Sequence, residues 1–209
     1  MGNTGIGFQD INSIFGNQAG LASLEQTSFM ALGESRFSDF GIRSVGAAAA
    51  IPANAGTFGL ALQYFGIEAY NEQKIGLAYA RKLFEKFSIG VQFDYLRLRA
   101  QDFGSTSLFT FEAGIQSQLT KKLVIGFYTY SPVRVNIIEN EDLPTIFKFG
   151  GALQVSPKLM IAAELEKDID FPMEFHLGME YAIVKAFFLR VGVQTQPSEL
   201  SIGFGYQLK

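Results

Sequence analysis

The sequence predicts an all-β fold, namely a transmembrane antiparallel up-and-down β-barrel of about twelve strands with an N-terminal plug segment. Strand-length stretches alternate a bulky apolar residue with glycine, alanine or a polar residue, most clearly over 174–181. A period of two is that of a β-strand with two unlike faces. The chain of 209 residues is 48% hydrophobic but only 18% charged, which is unusually apolar for a soluble domain. No stretch approaches the roughly 18 consecutive apolar residues of a transmembrane helix.

These observations point to a membrane barrel because a closed barrel is the non-helical structure that pairs all its backbone groups in lipid. The 21 Phe and 8 Tyr residues can supply the aromatic girdles of such barrels. A net charge of −3 offers no basic patch for nucleic acid. The absence of cysteine excludes disulfides and thiolate metal sites, and no cofactor is expected.

Twelve segments carry the alternating pattern, each near or above the roughly 9 to 11 residues that span a bilayer at a tilt. They are 27–37, 40–51, 57–67, 72–83, 87–99, 108–119, 122–131, 145–155, 158–167, 173–182, 186–194 and 199–208.

The connections between these strands alternate between two kinds. Tight turns are expected at 52–56, 84–86, 120–122, 156–157 and 184–185, and longer polar loops at 100–107, 132–144, 168–172 and 194–198. Outer-membrane barrels have short periplasmic turns and longer extracellular loops. The pattern therefore predicts the bacterial outer membrane and lipid as the surroundings. No signal segment begins the chain, so we expect that it is removed or lies upstream.

The competing fold is a soluble sandwich or lipocalin-like barrel with its apolar face inward, because alternation alone does not say which face is wet. The weaker face argues against it. Most strands carry a glycine there, and glycine weakens a strand and gives nothing to pack. These glycines, which would widen the interior for solute or for a protein segment, are Gly46, Gly59, Gly76, Gly90, Gly114, Gly126, Gly150, Gly178, Gly192 and Gly203.

Residues 1–26 lie outside the strand pattern, and we expect them to plug the barrel formed by 27–209. Asp10 can cap a short helical turn, and residues 19–24 can form another after a break at Gly16. The expected plug residues are Ile11, Ile14, Phe15, Asn17 and Leu21.

The stretch 1–22, MGNTGIGFQDINSIFGNQAGLA, resembles the N-terminal signature of the FadL and PorV/PorQ superfamily of outer-membrane barrels. In that family a Met-Gly-x-Ala/Thr-Gly segment precedes a short acidic and apolar run and then Asn-Pro-Ala-Gly-Leu. The resemblance implies either a FadL-like passive channel for hydrophobic molecules or a non-enzymatic component of the Bacteroidota type IX secretion machinery, bound to a larger translocon.

The residues expected to face the interior favour the second role, because a fatty-acid pocket should be lined mainly by apolar side chains. Buried charges there should pair, for example Arg190 or Lys148 with Glu112, Glu164 or Glu180. The expected interior residues are Gln92, Asp94, Glu112, Gln116, Gln118, Lys148, Gln154, Glu164, Glu174, His176, Glu180, Arg190, Gln194 and Gln207. We therefore expect an accessory subunit of an envelope complex, with a FadL-like channel as the alternative and a generic small pore as the third reading.

Two features could indicate chemistry, and each has a simpler explanation. His176, the single histidine, is flanked by Glu174 and Glu180 and could bind metal or act as a general base. Glu164 and Glu166 could be an acid and base pair. Hydrogen-bonded interior side chains explain both, so we expect no enzyme activity.

The loop 132–144 offers a further clue to partners. It carries Val133, Val135, Ile137 and Ile138 next to an acidic run. Apolar side chains exposed on an extracellular loop would suggest contact with another protein, although they could equally extend the strands.

Overall fold

The computed structural model describes residues 1–36, 41–138, 141–184 and 186–206. Expectations that fall on 37–40, 139–140, 185 and 207–209, including Gln207, lie outside these residues. The strands are β1 (Ser28–Arg36), β2 (Ile42–Ala53), β3 (Gly56–Gly66), β4 (Tyr70–Phe84), β5 (Phe87–Ala100), β6 (Gly104–Gln118), β7 (Leu123–Tyr130), β8 (Asn136–Ile138), β9 (Glu141–Asp142), β10 (Ile146–Ser156), β11 (Leu159–Asp168), β12 (Glu174–Val184), β13 (Phe187–Thr195) and β14 (Ser198–Tyr206).

Twelve of these strands form one antiparallel sheet in which consecutive strands are neighbours. β8 and β9 form a separate hairpin inside the connection between β7 and β10. The predicted all-β, up-and-down arrangement and its twelve strands are therefore confirmed. Within the described residues, β1 and β14 each have a hydrogen-bonded neighbour on one side.

The connections differ from expectation at two places. Residues 104–107 belong to β6, because Ser105 and Thr106 pair with Arg99 and Leu98 of β5. The connection between β13 and β14 is likewise short, since β13 ends at Thr195 and β14 begins at Ser198. Serine and threonine suit an exposed strand as well as a loop, so their polarity was misleading. The connection between β7 and β10 remains long, and we call the rim that carries it the loop rim and the opposite one the turn rim.

The two faces of the sheet have the polarity of a membrane protein. On β5, Phe93 is 68% exposed whereas its neighbour Asp94 is 1% exposed. Leu77, Phe109 and Phe127 are also exposed, while Gln92 and Glu112 are buried. A soluble barrel would have the reverse arrangement, so the soluble alternative is wrong. None of the helices in the described residues is long and apolar enough to cross a membrane.

The sheet curls around its polar face. The Gly2 N–H donates to the Ser201 hydroxyl of β14 at 3.0 Å, and the adjacent Asn3 lines a cavity together with Met30 and Leu32 of β1. In a flat sheet, twelve strands spaced about 4.8 Å apart would separate these edges by about 53 Å. Two consecutive residues could not reach both edges, so the sheet is strongly curved and the N-terminal segment lies against its concave, polar face.

Whether the exposed apolar face contacts lipid can be tested by placing a charge on it. Leu77, 62% exposed near the middle of β4, should contact acyl chains. We expect Leu77→Arg to lower the free energy of unfolding in phospholipid vesicles by about 2 to 4 kcal/mol. Phe103→Arg, in the β5–β6 connection, is the control and should have little effect. Equal effects of the two substitutions in a denaturant titration would contradict a lipid-facing wall.

Candidate functional site

The N-terminal segment, residues 1–24, contains two short 3₁₀ helices, Ile11–Phe15 and Gln18–Ser23. Each has a side chain at its N-cap that replaces a missing backbone partner. The Asp10 carboxylate accepts from the Asn12 N–H at 2.8 Å, and the Asn17 side chain accepts from the Ala19 N–H at 3.2 Å. Asp10 and Asn17 thus begin the two helices, and the first helix ends at its C-cap Gly16, so the segment can bend there within the concave face.

Apolar side chains of the segment pack against small residues of the sheet. Ile14 and Leu21 are fully buried, while Ile11 and Phe15 are partly buried beside them. Their neighbours on β2, β3 and β4 are alanines: Ala48, Ala50, Ala61, Ala78 and Ala80. Alanine leaves the space that the larger side chains of the segment fill, so this contact is a small hydrophobic core.

Backbone groups of the segment are paired by side chains from the sheet. The Glu164 carboxylate accepts from the N–H groups of Gly5 and Ile6, the latter at 2.6 Å. The Gln116 amide donates to the carbonyls of Ile6 and Phe8 at 2.7 and 2.8 Å. Because an unpaired buried backbone group costs about 1 to 3 kcal/mol, these polar side chains stabilise a segment that has no strand partner.

Two further contacts hold the N-terminal segment against the sheet. The Asn17 amide donates to the Ile115 carbonyl at 3.0 Å, so the segment bonds the backbone of β6 itself. His176 Nδ1 lies 2.9 Å from the Gly2 carbonyl oxygen. The single histidine therefore has a structural contact, and no cluster of metal-binding side chains occurs in the part of the chain that the structure describes.

Several of the mid-strand glycines lie where the N-terminal segment comes closest to the sheet. A Cβ atom at Gly90 would overlap the backbone of Gln18 and Ala19, and one at Gly114 would overlap the Asn17 side chain. A Cβ at Gly192 would meet the backbone of Met1 and Gly2. Glycine at these positions is a steric requirement of the contact.

One charged cluster lies beside the second helix, with Glu112 at its centre. Lys74 Nζ is 2.5 Å from the Glu112 carboxylate and 3.9 Å from that of Asp94. The Tyr128 hydroxyl donates to Glu112 at 2.7 Å, and the Gln18 amide also donates to it. A buried charge needs such partners. The cluster therefore joins β4, β5, β6 and β7 to the N-terminal segment.

Lys74 and Tyr128 were not among the predicted interior residues, although the alternation along β4 indicates that Lys74 faces inward. Gly76 and Ala78 mark the inner positions of β4, and the same parity extended back two residues reaches Lys74. A lysine near the end of a strand is more often solvated than it is the counter-ion of a buried carboxylate, so Lys74 was not predicted to be one.

Three more of the predicted interior charges, Lys148, Glu180 and Arg190, take part in two ion pairs on β10 to β13. Arg190 Nε lies 2.6 Å from the Glu180 carboxylate. Lys148 lies 2.8 Å from Glu166, so its predicted partners, Glu112, Glu164 or Glu180, were wrong. The register explains this difference, because Lys148 is directly opposite Glu166 while Glu164 binds the backbone of the N-terminal segment.

A cavity of about 650 Å³ opens at the loop rim above the Glu112 cluster. Its walls are largely apolar, and Leu143 in the long connection is buried against Leu96 and Leu108. The lining residues are Tyr70, Glu72, Leu96, Leu98, Ala100, Phe103, Gly104, Ser105, Thr106, Tyr130, Ile137, Glu141, Asp142, Leu143 and Pro144.

The cavity corrects the expectation of a uniformly polar interior. On β5 the inner positions change from Gln92 and Asp94 to Leu96 and Leu98, whereas the outer positions change from phenylalanine to Arg97 and Arg99. Beyond the hydrocarbon layer the outer face meets water, so the polarity of the two faces is reversed. This reversal was not predicted, because the inner face of each strand was expected to be polar along its whole length.

The polar groups of the cavity are acidic or uncharged. Glu72 accepts from the Tyr70 hydroxyl at 2.7 Å, and Glu141 and Asp142 stand at the entrance. No lysine or arginine belongs to the described lining. Two cations contact lining residues: Arg134 lies 3.8 Å from Asp142, and Lys74, which is paired with Glu112, lies 5.4 Å from the centroid of the Tyr130 ring.

No known family model matches the sequence, and no curated protein matches it. Solved structures do match. The CymD monoaromatic hydrocarbon channel has a TM-score of 0.75 at 13% identity, covering 100% of this chain and 87% of its own. The Pseudomonas putida toluene transporter TodX has a TM-score of 0.75 at 10% identity, with the same coverage. A Pseudomonas aeruginosa FadL homologue has a TM-score of 0.71 at 12% identity, covering 100% of this chain and 84% of its own.

The fold is that of a bacterial outer-membrane β-barrel protein. Such low identities establish the fold alone, and the predicted outer-membrane location is confirmed by it. CymD is described as a channel and TodX as a transporter, and neither is an enzyme, which agrees with the expectation of a non-enzymatic protein.

The steric role of the glycines can be tested with a matched pair of substitutions. Gly90→Val should push the second helix away from β5, whereas Gly33→Val should not, because nothing lies within 4 Å of a Cβ at Gly33. Overpacking costs about 1 to 3 kcal/mol, so we expect amide exchange over residues 17–24 to quicken by about tenfold or more in the first variant. Hydrogen exchange followed by mass spectrometry measures it. Equal exchange in both variants would contradict the close contact.

Proposed function

We propose that the protein is a passive outer-membrane channel for small hydrophobic molecules, in which residues 27–209 form a closed barrel and residues 1–26 act as its plug. The observation that carries the proposal is the apolar cavity at the loop rim. Its volume of about 650 Å³ lies within the roughly 300 to 1,000 Å³ of typical ligand pockets. Its leucine walls would remove an apolar solute from water at the extracellular surface.

The route from this cavity leads to the Glu112 cluster. A second cavity of about 220 Å³ shares Glu72, Leu96 and Tyr130 with the first and is also lined by Lys74. A further cavity of about 240 Å³ lies beside the N-terminal segment, between Met30 and Glu164 among others. Buried hydrogen bonds of the segment separate these spaces, so passage requires the plug to shift.

The lining charges indicate which hydrophobic molecules would enter. Glu72, Glu141 and Asp142 would repel a carboxylate, and no basic residue of the described lining would attract one. The cavity therefore suits uncharged molecules better than fatty-acid anions. Two of the structural neighbours are described as channels or transporters of toluene or other monoaromatic hydrocarbons, which are uncharged.

The accessory-subunit role in type IX secretion, with a PorV-like barrel bound to a translocon, has less support. It rests on the N-terminal motif, on the polar side chains of the interior and on apolar residues in the loop. In the structure Val135 and Ile137 pack against the leucines of the cavity, while Val133 is exposed. The loop therefore covers part of the cavity, and because two of its apolar residues pack against the leucines of the cavity, they favour the channel over a docking surface.

Binding in the cavity can be followed with an introduced tryptophan, because the chain contains none. Leu98→Trp places the reporter in the cavity lining, and Phe93→Trp places one on the exposed outer face. With toluene as the probe, we expect a saturable fluorescence change in the first variant and only a linear change, from partitioning into detergent, in the control. A linear response from both would contradict a binding site in this cavity.

The preference for uncharged ligands has its own test in the Leu98→Trp protein. At low salt, Glu72→Gln should strengthen laurate binding about threefold or more, because one repelling charge is removed, and should leave 1-dodecanol binding unchanged. Glu199→Gln, an exposed carboxylate on β14, is the control. Tighter binding of laurate than of dodecanol by the Leu98→Trp protein with Glu72 intact would overturn the preference, while leaving a hydrophobic channel intact.

A further inference from the structure

Charge is segregated between the two rims of the sheet. At the turn rim, the turns and adjoining strand ends of the described chain carry six exposed basic residues, opposed by Glu25 and Glu85. The basic residues are Arg81, Lys82, Lys86, Lys121, Lys122 and Lys158.

The loop rim has the opposite balance. Its described acidic residues outnumber the basic ones, Arg43, Arg97, Arg99, Arg134 and Lys167. The acidic residues are Glu68, Glu72, Asp102, Glu141, Asp142, Asp168, Asp170, Glu174 and Glu199. Overall the chain is acidic, with a net charge of −3, so the basic turn rim is a local feature and does not follow from composition.

Three lysines of the turn rim hold equivalent positions in adjacent hairpins. The carbonyl of Lys86 accepts from the N–H of Gln118 at 2.8 Å, that of Lys122 from Gln154 at 2.7 Å, and that of Lys158 from Ala182 at 2.7 Å. Each lysine therefore lies beside the next hairpin of the sheet. Because a hairpin spans two strand spacings, the lysines recur about every 10 Å along the rim.

Apolar side chains lie next to these lysines on the outer face. Phe84 is 74% exposed at the end of β4, and Leu83, Leu119 and Val155 are also exposed. In a bilayer these side chains would meet acyl chains near the interface. Lysine side chains extend along such apolar surface and place their ammonium groups at the headgroups.

We propose that this basic rim, formed by Lys86, Lys122 and Lys158 with their basic neighbours, binds anionic phospholipid headgroups of the periplasmic leaflet. The turn rim faces the periplasm because short turns lie on that side of outer-membrane barrels. Lysine ammonium groups beside an apolar band complement a phosphate attached to acyl chains. An acidic soluble protein would match the charge but would leave the apolar band uncovered.

The test compares lipid retention in two charge-matched triple variants. Each full-length protein is reconstituted in nanodiscs of phosphatidylethanolamine with a minor fraction of phosphatidylglycerol, extracted in mild detergent, and analysed by native mass spectrometry. We expect wild-type protein to retain phosphatidylglycerol preferentially. Lys86→Gln with Lys122→Gln and Lys158→Gln should reduce this preference by about tenfold or more, since each basic residue near an anionic surface contributes to binding.

The control, Arg43→Gln with Arg97→Gln and Arg99→Gln, removes three charges from the loop rim and should keep the preference. Heat-modifiable mobility on gels verifies that both variants fold. An equal loss in the two variants, or none in the lysine variant, would overturn the proposal. Unchanged lipid preference with lost binding of an acidic periplasmic protein would also overturn it and would assign the rim to a protein partner.

Discussion

The rest of the structure depends on one constraint, which is that the backbone of the N-terminal segment must be paired although no strand is available to pair it. Residues 1–10 run through the concave face of the sheet outside any helix or strand. Their buried N–H and C=O groups would each cost about 1 to 3 kcal/mol if they were left without partners. Glu164 and Gln116 supply partners for Gly5, Ile6 and Phe8.

This constraint accounts for the composition of the inner face. Glycine occurs where the segment's backbone touches a strand, as at Gly90 and Gly192. Alanine occurs where Ile14 and Leu21 pack against the sheet. Carboxylates and amides occur where backbone groups or Lys74 need partners. The alternation of residue types along the strands thus reflects two different surroundings, lipid at the outer face and the protein's own N-terminal segment at the inner face.

Much of this arrangement could be predicted from the sequence, because a period of two is a property of each strand alone. The twelve strands, their antiparallel order and the polarity of the membrane-spanning part follow from it. Features that depend on contacts between distant residues could not be predicted in the same way. The partner of Lys148 is fixed by the register between β10 and β11, and the leucine cavity by a change of surroundings along β5.

The cavity and the Glu112 cluster divide the interior into two functional layers. Above, Leu96 and Leu143 face an open apolar space, and below, Glu112 is bound by Lys74, Tyr128 and Gln18. In the proposed channel, the cavity would bind an apolar solute at the extracellular side and hold it above this polar barrier. The permeability barrier would then be the hydrogen-bonded segment rather than the width of the sheet.

Ion conductance across planar bilayers tests this central claim most directly. The intact protein should be closed, and a variant lacking residues 1–26, verified as folded by heat-modifiable mobility, should conduct. Stable conductance by the intact protein, at the level of the shortened variant, would contradict the account.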